Sequence, residues 1–253
     1  MTSRSDTHAE GGIDDQCSRQ SGQAAIGSMS TAGLAERPKP PPPLVHQPEP
    51  DSAASAPGLV LIGASTGGPQ ALEAILTALP ADLPWPVLVA QHMPATFTSA
   101  FAQRLDRICA LSVREVRQAT VLRPGHVHIA QGDADMIVAQ RPAGLIALPV
   151  PASQAHRWHP SVDRMVASAL NHLPASQQVS VLLTGMGDDG ATAMARLRAE
   201  GGHTIAQDED TAVVWGMPGE LVRRGGAAQL APLPDIAQRI VQAISRRLPQ
   251  TCR

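Results

Sequence analysis

The stretch Leu59-Val60-Leu61-Ile62-Gly63-Ala64-Ser65-Thr66-Gly67-Gly68-Pro69 decides how the chain is read. Its first half is an unbroken apolar run, the pattern of a strand buried on both faces. Its second half is a glycine-rich turn that leads into an amphipathic helix, Gln70 to Leu79. There Leu72, Ile75, Leu76 and Leu79 fall at i, i+3, i+4 and i+7, a core-facing stripe. Pro69 suits the opening position of that helix. A serine is thus carried at the C-terminal tip of a buried strand, where an open α/β sheet gathers its ligand chemistry. Residues 63–67 also fit G-x-S-x-G, the sharp strand-to-helix turn that exposes a nucleophilic hydroxyl.

Outward from this stretch, strand and helix patterns alternate. Strands are expected at Leu59–Ala64, Val87–Gln91, Ser112–Val116, His126–Ile129, Met136–Gln140, Leu145–Val150, Val179–Thr184, His203–Ala206 and Val213–Trp215. Helices are expected to start near Gln70, Thr98, Val162, Ala191, Pro218 and Pro234. Such alternation implies an α/β fold: a doubly wound, mostly parallel sheet with helices on both faces, a Rossmann-like three-layer arrangement. Between residues 112 and 150 the strands are short and closely spaced, with Gly125, Gly132 and Gly144 as breakers, so a short region of antiparallel hairpins is expected there. Residues 1–57 are rich in Ser, Ala, Gly and Pro and include Pro38-Lys39-Pro40-Pro41-Pro42-Pro43. They read as a disordered tail or linker. The folded domain is expected over residues 58–248.

Composition narrows the function. Net charge is −2, which gives no overall electrostatic case for nucleic acid or an anionic membrane. Aromatic residues make up only 2%, leaving few platforms for stacking bases. No apolar run is long enough to span a bilayer, and the N-terminus does not read as a signal peptide. Cys17, Cys109 and Cys252 suggest neither a disulfide framework nor a zinc site, and a cytoplasmic location is expected. His126 with His128, and His156 with His159, are the only close histidine pairs considered as metal ligands. Neither has a neighbouring set of acids or cysteines at good spacing, so both read as exposed polar residues and no metal or cofactor is expected.

Three strand tips carry unusual residues: Ser65, the run Gln91-His92-Met93-Pro94, and the run Thr184-Gly185-Met186-Gly187-Asp188-Asp189-Gly190. Adjacent parallel strands end on one edge, so a serine, a histidine and an aspartate can converge there as nucleophile, base and orienting carboxylate. Backbone N–H groups near Thr66 and Met186 would face the oxyanion. Each residue also has a plain structural reading. Ser65 can cap the helix after the turn, His92 can be a structural histidine, and Asp188 or Asp189 can cap the helix Ala191–Ala199. A dinucleotide site does not fit, because position 65 is not glycine and no acid ends the second strand. The order Ser65, His92, Asp189 also differs from the serine, acid, histidine order of α/β-hydrolases, so the elbow does not imply that fold.

The segment from Leu59 to about Ile244, about three quarters of the chain, resembles the catalytic domain of chemotaxis protein-glutamate methylesterases, the CheB family. The resemblance rests on Ile62-Gly63-Ala64-Ser65-Thr66-Gly67-Gly68, Gln91-His92-Met93-Pro94 and Leu183-Thr184-Gly185-Met186-Gly187-Asp188-Asp189-Gly190. It is extended by Pro124-Gly125-His126 with Ile129-Ala130, Pro160-Ser161-Val162-Asp163, Thr204-Ile205-Ala206-Gln207 and Val214-Trp215-Gly216-Met217-Pro218. It implies a Ser-His-Asp triad of Ser65, His92 and Asp189, with Thr66 and Met186 lining the site and no cofactor. It further implies hydrolysis of glutamyl methyl esters on methyl-accepting chemoreceptors to glutamate and methanol, deamidation of receptor glutamines by the same acyl-enzyme route, and partners among chemoreceptor helices and chemosensory array proteins. Arg157, Arg164 and Met217 are the candidates for substrate contact. An inactive receptor-binding scaffold, or a hydrolase of a different ester or amide, is the alternative. Two departures stand out. The N-terminal receiver domain of most relatives is replaced by about 57 low-complexity residues, so control by phosphorylation in cis is not expected; and a position often occupied by arginine is His159.

Overall fold

A computed structural model describes residues 58–248; the tail expected over residues 1–57 lies outside the described residues. The described chain runs β1 (Leu59–Ala64), α1 (Gly68–Ala78), β2 (Val87–Gln91), α2 (Ala95–Ile108), β3 (Ser112–Val116), β4 (Thr120–Val121), β5 (His126–Ala130), β6 (Ala134–Arg141) and β7 (Gly144–Pro151). It continues through α3 (Val162–Leu170), a 3-10 turn at Ala175–Gln177, β8 (Gln178–Leu182), α4 (Ala191–Ala199), β9 (His203–Gln207), α5 (Met217–Arg223), β10 (Gln229–Ala231) and α6 (Leu233–Ser245).

β1 is the centre of the design. All six of its residues are buried, which only a strand flanked by strands and covered on both faces requires. It pairs in parallel with β2 on one side and β8 on the other. The sheet extends to the order β10-β9-β8-β1-β2-β5-β3, with every pair parallel. The strand period of two then sorts the core. Val60 and Ile62 face α1, α2 and α6, meeting Leu72, Ile75, Leu76, Leu105, Ile236 and Ile240. Leu59 and Leu61 face the other layer, where α3, α4 and α5 bring Val162, Met165, Met194 and Leu221. The chain leaves β1 towards β2, then returns through α3 to place β8 on the opposite flank. The order therefore reverses at β1, and the carboxyl ends of β1 and β8 open a crevice.

The doubly wound architecture follows the alternation in the sequence, and the stripe Leu72, Ile75, Leu76 and Leu79 is at most 2% exposed. Two expectations need correction. The region 112–150 is not all antiparallel: β3 and β5 join the main sheet in parallel, and only β4, β6 and β7 form an antiparallel sheet. The reason is burial, since Val127, Ile129 and Ala130 of β5 are needed to cover the flank of β2. Val213–Trp215 is not a strand. β8 already has β1 and β9 on its two sides, so this segment makes a single parallel bridge, Gly185 with Trp215, past the end of β8. β10 carries no strand signal in the sequence, because it has three residues and Leu230, at its centre, is 48% exposed.

Ile75 is 1% exposed between α1 and the sheet. Ile75→Ala is expected to lower the unfolding free energy by about 2–5 kcal/mol, read as a fall in the urea midpoint with an unchanged slope.

Candidate active site

Ser65 is the first residue past β1. Its N–H donates to Thr184 O (3.0 Å), which ties it to the tip of β8. Its own carbonyl accepts from Gly68 N (2.8 Å), closing the turn. The residue at the start of α1 that acts as its cap is Gly67, with φ 79° and no side-chain hydrogen bond, so Ser65 is not the helix cap. The half-buried hydroxyl is left to the crevice.

His92 arrives by register. The β1–β2 ladder ends with Ala64 opposite Gln91, and His92 N continues it by donating to Ala64 O (3.0 Å). Ser65 and His92 are therefore the next pair on strands about 4.8 Å apart. Gln91 clamps this pair: its buried Nε2 donates to both Ser65 O (2.9 Å) and His92 O (3.0 Å). The third tip approaches from β8. Gly185 lies so close that a Cβ there would come within 2.7 Å of Ser65 Cβ, and any side chain would push the serine aside.

His92 Nε2 lies 2.8 Å from Asp189 Oδ2. An ionised carboxylate only accepts, so Nε2 carries the proton and the lone pair of the neutral ring is on Nδ1. That Nδ1 is buried and has no partner among the described residues. This reverses the arrangement in which Nδ1 meets the carboxylate and Nε2 meets the serine. The indole of Trp158 lies parallel to the imidazole, with ring centroids 6.1 Å apart, and Arg157 stands over the indole at 5.2 Å.

Asp189 does not cap α4. The cap there is Gly190, and the exposed Asp188 gives only its carbonyl, to Ala191 N. Asp189 turns instead to the start of α3, accepting from Val162 N (2.7 Å), Asp163 N (3.0 Å) and Ser161 Oγ (3.1 Å) as well as from His92. These amides are donors that the helix itself leaves unpaired. Asp163, in the first turn of α3, returns the favour by accepting from Ala193 N at 2.7 Å in the first turn of α4. Burial pushes the Asp189 carboxyl up, but the bonds from His92 and the two amides together outweigh it and hold it below the usual carboxylate range. For Asp163 burial prevails, helped by the negative charge of Asp189, and its carboxyl is raised.

A second carboxylate fixes the wall of the site. Asp135, on β6, has a fully buried side chain that accepts from His159 Nδ1 (2.9 Å), Ser161 N (2.7 Å), Arg164 Nη1 (2.7 Å) and Ser153 N (3.1 Å). Burial raises its carboxyl, and these four partners together bring it below the usual range. They pin the segment 153–164 that carries Trp158. Arg164 is thereby held on Asp135 and on Pro151 O (2.8 Å), with its side chain still 28% exposed. Met217 is 0% exposed, packed under Gly185, so it supports the turn and does not touch a ligand. Arg157 remains exposed at the mouth, with Thr66 and with Met186, which is 67% exposed. Among the described residues the amides of Thr66 and Met186 have no hydrogen-bond partner. His159 is held by Asp135, and no group of three metal-ligating side chains occurs among the described residues. Gln91, Asp135, Trp158 and Ser161 join the site only through the fold. Asp135 had one legible signal, an acid at a core position of a strand.

Asp135 and Asp189 both bind protons more weakly folded than unfolded. Their stabilisation is full above the ordinary carboxylate pKa of about 4 and fades as pH falls through the depressed values. Asp163 works in the opposite sense. Asp189→Asn and Asp135→Asn are each expected to lose about 1–3 kcal/mol at pH 7 and to show a shallower loss of stability below pH 4 than the parent, measured by urea unfolding across pH.

The CheB methylesterase family model matches residues 60–240. The chain is 64% identical over 190 residues to protein-glutamate methylesterase/protein-glutamine glutaminase 2 of Rhodopseudomonas palustris, covering 75% of this chain and 52% of that protein. It is 49% identical over 219 residues to protein-glutamate methylesterase/protein-glutamine glutaminase 3 of Rhodospirillum rubrum, covering 87% of this chain and 58% of the relative. The chain thus spans about half the length of the curated relatives it matches. Among solved structures, the Thermotoga maritima CheB methylesterase catalytic domain superposes with a TM-score of 0.70 at 34% identity, over 73% of this chain and 97% of that one. The sheet order, the crevice beside β1 and these matches agree, and the chain belongs to the CheB methylesterase family.

Proposed function

We propose that residues 58–248 form a catalytic domain that hydrolyses glutamyl methyl esters on the cytoplasmic helices of methyl-accepting chemoreceptors. The products are glutamate and methanol. The observation that carries the reading is His92, opposite Ser65 on the neighbouring strand: its Nε2 is fixed on Asp189 at 2.8 Å while its buried Nδ1 has no partner among the described residues.

The chemistry follows from that geometry. Ser65 Oγ attacks the ester carbonyl as its proton passes to His92 Nδ1. The tetrahedral oxyanion is held by the amides of Thr66 and Met186. Collapse breaks the acyl–oxygen bond, and the Nδ1 proton leaves with methoxide as methanol. Water then attacks the acyl-enzyme, losing a proton to Nδ1, and the second collapse returns that proton to Ser65 and frees the glutamate. Asp189 remains ionised, keeping the proton on Nε2 and stabilising the imidazolium. A glutamine side chain enters the same cycle and leaves ammonia, so deamidation is part of this reading, as the double name of the relatives supports.

Exposed Met186 and Val213 flank the crevice and suit a helical protein substrate better than a small ester. Arg157, exposed over Trp158, is the charge that acidic residues beside a methylation site would meet. Array proteins are the remaining partners of this reading, and its compartment is the cytoplasm. No described helix is long and apolar enough to cross a membrane. An inactive scaffold has no use for a desolvated imidazole nitrogen beside a serine.

Ser65→Ala is expected to cut methanol release from methylated receptor membranes by about 10⁴-fold, with an unchanged circular dichroism spectrum. Release at the parental rate from a folded variant would overturn the assignment.

A further inference from the structure

A second cavity lies three strands from β1, at the β3 edge of the sheet. It is a groove of about 630 Å³ whose lining includes Arg114, Arg117, Arg123, His126 and His128. In the β3–β5 ladder Arg114 sits opposite His128 and Ser112 opposite His126, so Arg114 and both histidines project from one face. The imidazoles of His126 and His128 stack at 6.3 Å. His126 donates from Nδ1 to Pro124 O (2.9 Å).

His128 is the anomaly. It is 2% exposed, and neither ring nitrogen has a partner among the described residues. The sequence suggested an exposed polar residue; the structure buries it where β5 is covered by the second sheet. A buried imidazole with both nitrogens unsatisfied costs stability and needs a reason. The charges around it supply one. Glu115, the only acid lining the groove, points to the other face and is engaged by Thr98 and Arg117. Among the described residues Arg114 and Arg123 have no carboxylate partner. The groove therefore holds two unneutralised guanidinium groups beside a buried imidazole. Guanidinium forks match the oxygens of phosphate and carboxylate. The volume is that of a small-molecule site rather than a protein-docking face.

We propose that this groove is a binding site for a small polyanion, a phosphate ester or polycarboxylate, held by Arg114 and Arg123 with His128 donating to it from the buried end. The site is separate from the crevice at Ser65 and does not depend on the esterase reading.

Burial and its basic neighbours keep His128 neutral. Burial first, then the charges of His126 and Arg114, press its pKa down to about 4. The titratable and charged groups around it are His126 on its own strand, Arg114 on β3, and Arg117 and Arg123 on the segment leading to β5, with Glu115 turned away. An anion set among them opposes that depression, so binding and protonation of His128 are linked.

The test titrates the full chain with inorganic pyrophosphate and, separately, citrate by calorimetry. Imidazole resonances of His128 are followed by NMR through the same pH series. Saturable one-to-one binding of either probe is expected, weakened at least about tenfold by Arg114→Gln, whose exposed side chain leaves the fold intact. Preference for pyrophosphate identifies a phosphate ligand, and preference for citrate a carboxylate one. The His128 midpoint is expected to rise when the probe is bound. Absence of saturable binding by both probes, binding undiminished in both Arg114→Gln and Arg123→Gln, or a His128 midpoint unmoved by a bound probe would each overturn the proposal.

Discussion

The site hangs on one carboxylate. Asp189 takes two backbone amides and a hydroxyl at the start of α3 and still offers an oxygen to His92. A buried charge is tolerable only when such partners replace the water it has lost. The helix start, for its part, has donors with no acceptor of its own. Each defect corrects the other, and the imidazole is oriented as a result. Asp163 repeats the arrangement in reverse for α4, so the two helices lock each other's first turns.

The remaining stiffness comes from side chains that stand in for backbone where the strands end. Gln91 extends the β1–β2 ladder with its amide. Gln207 Oε1 accepts from Thr184 N (2.8 Å) at the tip of β8, and Thr184 Oγ1 donates to Thr66 O (2.9 Å). Thr184 Oγ1 also accepts from Val214 N (2.9 Å). Five chain segments, at Ser65–Thr66, Gln91–His92, Thr184, Gln207 and Val214, are stitched together at the crevice by groups that cannot drift without losing buried hydrogen bonds.

Much of this was legible in the sequence, for definable reasons. The β1 run, the α1 stripe and the three odd strand tips are local patterns, and parallel pairing carries Ser65 and His92 to one edge without further information. What was not legible is long-range. Asp189 read equally well as a cap for the helix beside it, because no local signal says that its acceptors will be claimed by α3, some 26 residues earlier. Arg164 reads as a substrate-contact candidate, and only the fold brings Asp135 to it. Met217 read as a contact residue, and only the packing of Gly185 puts it underneath. Trp158 and the buried His128 likewise depend on a sheet-to-sheet approach that no local pattern describes.

The orientation of His92 has a mechanical consequence. Nδ1 is bonded to the ring carbon nearest the backbone, whereas Nε2 sits at the far end of the ring. With the far end moored to Asp189, the free nitrogen is on a short lever, two bonds from Cβ at the end of β2. Side-chain rotation can hardly adjust its reach towards the strand beside it. Tolerance for differently shaped guests must therefore come from the exposed side chains of the rim, Met186, Val213 and Arg157, while the centre behaves as a fixed anvil.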